Sequence, residues 1–85
     1  MPSLNAPEYL LLRRLLIEAR TAAGLTQTQV AARLGRSQTF VSKYELGERR
    51  LDVVEFLLVC DSVGADPVVL LRKVWVKTRA GLTST

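Results

Sequence analysis

Eighty-five residues make one small domain, near the size at which a single hydrophobic core is barely adequate. A hydrophobic share of 48% supports a folded core and argues against disorder, and the net charge of +4 suits a polyanionic partner. No histidine and a lone cysteine, Cys60, exclude an internal disulfide and effectively exclude a structural zinc site; no apolar run reaches membrane-spanning length.

Residues 1–5 carry no strong signal and read as a mobile N-terminus. Asn5 with Glu8 three residues on reads as a capping box, with Pro7 tolerated in the first turn. A first helix then runs to about Ala23, with Leu12, Leu15, Leu16, Ala19 and Ala23 as its core stripe. Tyr9, Leu10, Leu11 and Ile17 widen the apolar surface, either as a broad buried face or as a partner contact. Arg13 and Arg14 on this helix read as solvated, with a lesser option of reaching phosphate.

Thr26 is the N-cap of a second helix ending at Leu34, and Gly35 is the residue most able to end it in the left-handed conformation. Gln29 reads as a solvated amide. Ser37 caps a third helix, in which Phe40, Val41 and Tyr44 share the inward stripe and Gln38, Thr39, Ser42 and Lys43 face outward. So short a helix must pack its apolar stripe on others. Phe40 and Tyr44 are most simply core; an aromatic so early in the helix could instead meet a thymine methyl. Outward amide, hydroxyl and ammonium groups are those that pair with base edges and phosphates.

Gly47 allows a tight turn after this helix, and Arg49 and Arg50 beside it suit a phosphate clamp, with Glu48 pointing away or paired. Asp52 with Glu55 caps a fourth helix whose buried face reads as Val53, Phe56, Leu57, Cys60 and Val63, closed by Gly64. Cys60 is then a small core residue. Asp66 and Pro67 open a fifth helix, about 67–77, leaving 78–85 as a frayed tail. Leu71, Val74 and Trp75 on this last helix exceed what a small domain needs to close itself and suggest a subunit contact.

The stretch Gln27 to Glu45, QTQVAARLGRSQTFVSKYE, resembles the helix-turn-helix of the phage repressor and Cro-like (XRE-type) DNA-binding domains. Ala31, Gly35 and Val41 carry the family's spacing, Gly24-Leu25-Thr26-Gln27 its opening, and Ser42-Lys43-Tyr44-Glu45 followed by Gly47 its close. Leu46 departs from the polar or basic residue many relatives place there. The resemblance spans Leu12 to Leu71 and implies an all-α, five-helix lambda-repressor-like domain over 6–77, with its motif at 27–46. It further implies a regulator, acting as a repressor on double-stranded DNA, that binds as a homodimer without cofactor; the lone cysteine, with no membrane-spanning run and no signal-peptide arrangement, reads as a cytoplasmic protein without a membrane partner.

For individual residues, the outward chemistry assigns base reading to Gln38, Thr39, Ser42 and Lys43, and phosphate contact to Thr28, Arg36, Arg49 and Arg50. The resemblance adds that Gln27 contacts a phosphate and braces Gln38, and that Arg20 forms a structural ion pair with Glu45 instead of binding DNA. A second reading is an antitoxin-like module whose main partner is a toxin or another regulator. An enzyme fares badly, because paired carboxylates, a reactive-cysteine setting and a phosphate-cradling glycine loop are all missing.

Overall fold

The computed structural model describes residues 6–83, with side chains described through Gly81. Five helices follow one another: α1 (Pro7–Ala22), α2 (Gln27–Leu34), α3 (Gln38–Leu46), α4 (Val53–Val63) and α5 (Pro67–Thr83). Among the described residues there is no strand.

Local capping chemistry places most of the helix starts. Thr26 accepts from the Gln29 amide at 3.1 Å while the Gln29 side chain accepts from the Thr26 amide at 2.8 Å. Gln29 is therefore half of a capping box, which corrects its reading as a solvated amide. Ser37 accepts from Phe40 N, Asp52 and Glu55 form the same reciprocal box on α4, and Asp66 accepts from Val68 N. Among the described residues no side chain caps α1: Ala6 is its N-cap, and Asn5 lies outside the described residues, as do the rest of residues 1–5 and residues 84–85.

The core is assembled from one or two turns of each helix. Leu16, Val30, Ala31, Phe40, Val41, Tyr44, Phe56, Val59, Cys60, Val63 and Leu70 form one cluster, against which Leu12, Leu15 and Ala19 pack. Phe40 meets Tyr44 edge-to-face with centroids 5.6 Å apart, an arrangement favoured by the ring quadrupoles. Burial pushes the Tyr44 hydroxyl well above its ordinary range and the Cys60 thiol up to about 11. In this packing α2 lies against α3 and α4, and α1 crosses α3 and supports α5.

Three further features differ from the sequence reading. Ala23 is the exposed C-cap of α1, beyond the last residue able to face the core. On α4 the buried set is Phe56, Val59, Cys60, Ser62 and Val63, whereas Val53 is 72% and Leu57 44% exposed. That helix is apolar nearly all round, so its periodicity does not select a face; packing on α2 does. Finally, α5 continues past Lys77 to Thr83, with Thr78 bonding back to the Val74 carbonyl and Arg79 lying over the Trp75 ring.

Candidate nucleic-acid interface

Helix α3 turns Phe40, Val41, Tyr44 and Glu45 inward and leaves Gln38, Thr39 and Lys43 exposed, with Ser42 half-buried beside them. The four side chains assigned to base reading thus share the outer surface of one short helix. Thr28 is exposed on the neighbouring α2.

Behind that surface runs a chain of hydrogen bonds. Arg20 donates through Nε and Nη2 to the two carboxylate oxygens of Glu45, at 2.7 and 3.0 Å, and through Nη1 to the Leu25 carbonyl at 2.9 Å. Gln27 Nε2 also donates to Glu45 Oε1, at 2.9 Å, and Gln38 Nε2 donates to Gln27 Oε1 at 2.7 Å. Donor and acceptor identities propagate along this chain. An ionised carboxylate only accepts, so Gln27 must present its amide nitrogen to Glu45 and its oxygen to Gln38. Gln38 must then use one N–H on Gln27, which leaves its Oε1 and its second N–H for a partner. Those two groups are what an adenine N6/N7 edge requires.

The end of α3 is fixed from α1. Arg13 donates through Nε and Nη2 to the Glu45 carbonyl at 3.0 and 2.8 Å, satisfying a helix-terminal acceptor. Arg13 is therefore a C-terminal cap for α3, which corrects its reading as solvated. Its guanidinium lies over the buried Gly47, whose φ is +80°; a Cβ there would sit 2.6 Å from Arg13 Nη1. Tyr9 continues the attachment: its hydroxyl accepts from Leu51 N at 3.1 Å and donates to the Arg49 carbonyl at 3.5 Å. Arg50 lies 4.4 Å over the Tyr9 ring. The loop carrying Arg49 and Arg50 is thus tied to the first helix at both ends.

Arg49 is not a free cation. It donates to Glu55 through Nη1 and Nη2 at 3.0 and 2.8 Å, and this pairing, with the Asp52 amide, holds the Glu55 carboxyl down at about 2. Arg36 approaches the same carboxylate at 3.6 Å, and both guanidinia lie against the Phe40 ring, at 4.1 and 4.8 Å. The Phe40 ring is thus buried under two cations, not presented outward. The sequence carries no signal for the bond from Arg13 to Glu45 or for those from Arg36 and Arg49 to Glu55, because each arginine lies outside the helix that carries its acceptor.

The proposed subunit-contact residues divide. Leu71 and Trp75 line a shallow apolar groove on the outer face of α5 with Val68 and Arg72. Val74 instead borders a hollow with Tyr9, Leu12 and Arg50, on the side that faces α1. Among the described residues no group of acidic, cysteine or histidine side chains is placed to hold a metal, and no helix is long and apolar enough to cross a membrane.

Residues 11–72 match the profile of a family described as a helix-turn-helix domain. The chain is similar to an XRE-family like protein from Pseudomonas syringae pv. tomato, with 56% identity over 84% of this chain and 87% of that one, at a TM-score of 0.79. It also shares its fold with the clp gene regulator ClgR from C. glutamicum, at 22% identity and a TM-score of 0.72, covering 91% of this chain and 95% of the other. No curated protein matches the sequence.

Proposed function

Because this chain belongs to the XRE-type helix-turn-helix family, we propose that it is a transcriptional regulator that reads double-stranded DNA by inserting α3 into the major groove. The observation that carries this reading is the Arg20–Glu45–Gln27–Gln38 chain, which ends in an exposed amide with one donor and one acceptor left to offer. Gln38 is the principal base reader, with Thr39, Ser42 and Lys43 completing the surface. Gln27, Thr28, Arg36, Arg49 and Arg50 set the register on the phosphates. Occupancy of the site represses transcription sterically, in the cytoplasm, with no cofactor and no catalytic step.

A single module of this size buries little surface on DNA, and helix-turn-helix readers bind half-sites about 34–36 Å apart as dimers. The exposed Leu71 and Trp75 support a homodimer through α5. A second reading, a regulator whose apolar surface also holds a partner protein such as a toxin, is favoured by Val53, Val54, Leu57 and Leu58, all exposed on α4.

Selection of bound duplexes from a random library, repeated with Gln38→Ala, tests the assignment. The expected result is an enriched palindrome whose preference relaxes at one symmetric position, with a loss of about 1–3 kcal/mol at the cognate base. Equal losses on selected and random DNA would remove Gln38 from the reading role.

A further inference from the structure

Beside the start of α3, four side chains from three places in the chain form a cluster separate from the Gln38 network. Arg36 precedes the N-cap of α3, Phe40 lies in its first turn, Arg49 follows in the loop, and Glu55 stands in the first turn of α4. Glu55 is held from three directions: it accepts from Asp52 N at 2.9 Å, takes the two-point contact from Arg49, and faces Arg36. Both guanidinia rest against one phenyl ring, where cation–π attraction and the intervening carboxylate offset their mutual repulsion. Arg49 spends its Nη1 on Glu55 and the Arg50 carbonyl and one Nη2 hydrogen on Glu55, which leaves Nε–H and the second Nη2–H to point elsewhere.

We propose that Glu55 is a positioning residue for DNA binding: without touching DNA, it and Phe40 hold Arg36 and Arg49 as a preformed two-point phosphate clamp at the N-terminal end of α3. The inference rests on the reading that α3 enters the major groove. A long arginine side chain loses conformational freedom when it grips a phosphate, and ordering it beforehand reduces that cost. The α4 capping box accounts for a Glu or Gln at this position but does not require its charge, which by itself opposes phosphate binding.

The two roles of that carboxylate predict opposite signs. Glu55→Gln removes the charge but can still accept from Asp52 N and so preserve the α4 cap. Affinity is read by fluorescence anisotropy on a selected duplex and on a random one across a salt series, with circular dichroism establishing that the variant is folded. If Glu55 positions the clamp, Glu55→Gln binds the selected duplex about tenfold more weakly despite its extra net positive charge. In an Arg36→Gln/Arg49→Gln background the same change has less than about a twofold effect, because nothing remains to position. Binding as tight as the parent protein or tighter, with a steeper salt dependence, shows a merely restraining charge and overturns the proposal. A loss that persists undiminished in the double-arginine background shows an effect through the fold, and overturns it too. If the parent protein itself shows no salt-dependent binding to any duplex, the major-groove reading fails, and the proposal falls with its premise.

Discussion

Replacing Arg20 by methionine tests the network on which the recognition surface rests. Glu45 is 6% exposed and accepts three hydrogen bonds at its carboxylate, two from Arg20 and one from Gln27. Arg20→Met removes two of the three and also strips the Leu25 carbonyl of the Arg20 Nη1 donor. Breaking one side of a buried ion pair costs about 3–5 kcal/mol. The Arg20 side is 15% exposed, so water can partly replace the missing donors and the lower end, about 3 kcal/mol, is expected. A domain of this length has on the order of 4–13 kcal/mol in total. The variant should therefore lose a quarter to three quarters of its stability and melt roughly 12–24 °C lower. Urea titration followed by circular dichroism reads this directly, with an unchanged m-value showing that the unfolded state is not responsible. Arg20→Met/Glu45→Leu replaces the pair by apolar groups and should recover most of the loss, because no unpaired charge stays buried. A cost below about 1 kcal/mol for the single variant, or a double variant no better than the single, would refute the account of Glu45 as a desolvated carboxylate that depends on Arg20.

Other positions give independent checks. Gly47→Ala should cost about 2–4 kcal/mol, combining left-handed backbone strain with displacement of Arg13 from the Glu45 carbonyl. Arg13→Ala alone should cost about 1.5–3 kcal/mol, and the double variant less than the sum, since both lose the same bond; thermal melts of the three proteins decide this. On the proposal of a homodimer through α5, Trp75→Glu puts a charge into its exposed groove and should yield a monomer in sedimentation where the parent protein is dimeric, without lowering the melting temperature by more than a few degrees. Cys60 is fully buried and its thiol pKa is pushed up to about 11, so it should resist iodoacetamide in the native protein at pH 8 and react readily in urea. Because this pKa is raised on folding, its contribution to stability is constant below about pH 8.5 and declines as pH rises toward about 11, as denaturant titrations across that range will show.

The starts of α2 to α5 and the turns that end α2, α3 and α4 follow from the sequence because their causes are local, whereas the end of α5 does not. A hydroxyl or carboxylate at Thr26, Ser37, Asp52 or Asp66 meets an amide only two or three residues away, and Gly35 and Gly47 supply the left-handed residues that end α2 and α3. The inward stripe of α3 is legible for the same reason: Phe40, Val41 and Tyr44 alternate with polar residues, so only one face can be buried. The Arg20–Glu45 pair became visible through resemblance to a family, since the residues stand twenty-five positions apart with no local mark of their contact.

What tertiary structure decided is what no local pattern encodes. Helix α4 is apolar on most sides, so only its packing against α2, α1 and α5 settles that Val59 is buried and Leu57 is not. A run of arginines looks alike in sequence, yet the fold gives them different work. Arg13 caps α3, Arg20 neutralises Glu45, and Arg49 is gripped by Glu55, because each guanidinium pairs with the acceptor that its helix brings within reach. Gln29 and Glu55 each close a cap within their own turn, but Glu55 also meets two arginines across a loop, and that second contact exists only once α3 and α4 are docked. Hydrophobic periodicity and capping thus set where most of the helices begin and turn; the long-range pairing of charges, which depends on angles between helices, sets which polar side chains are left unspent on the outer surface.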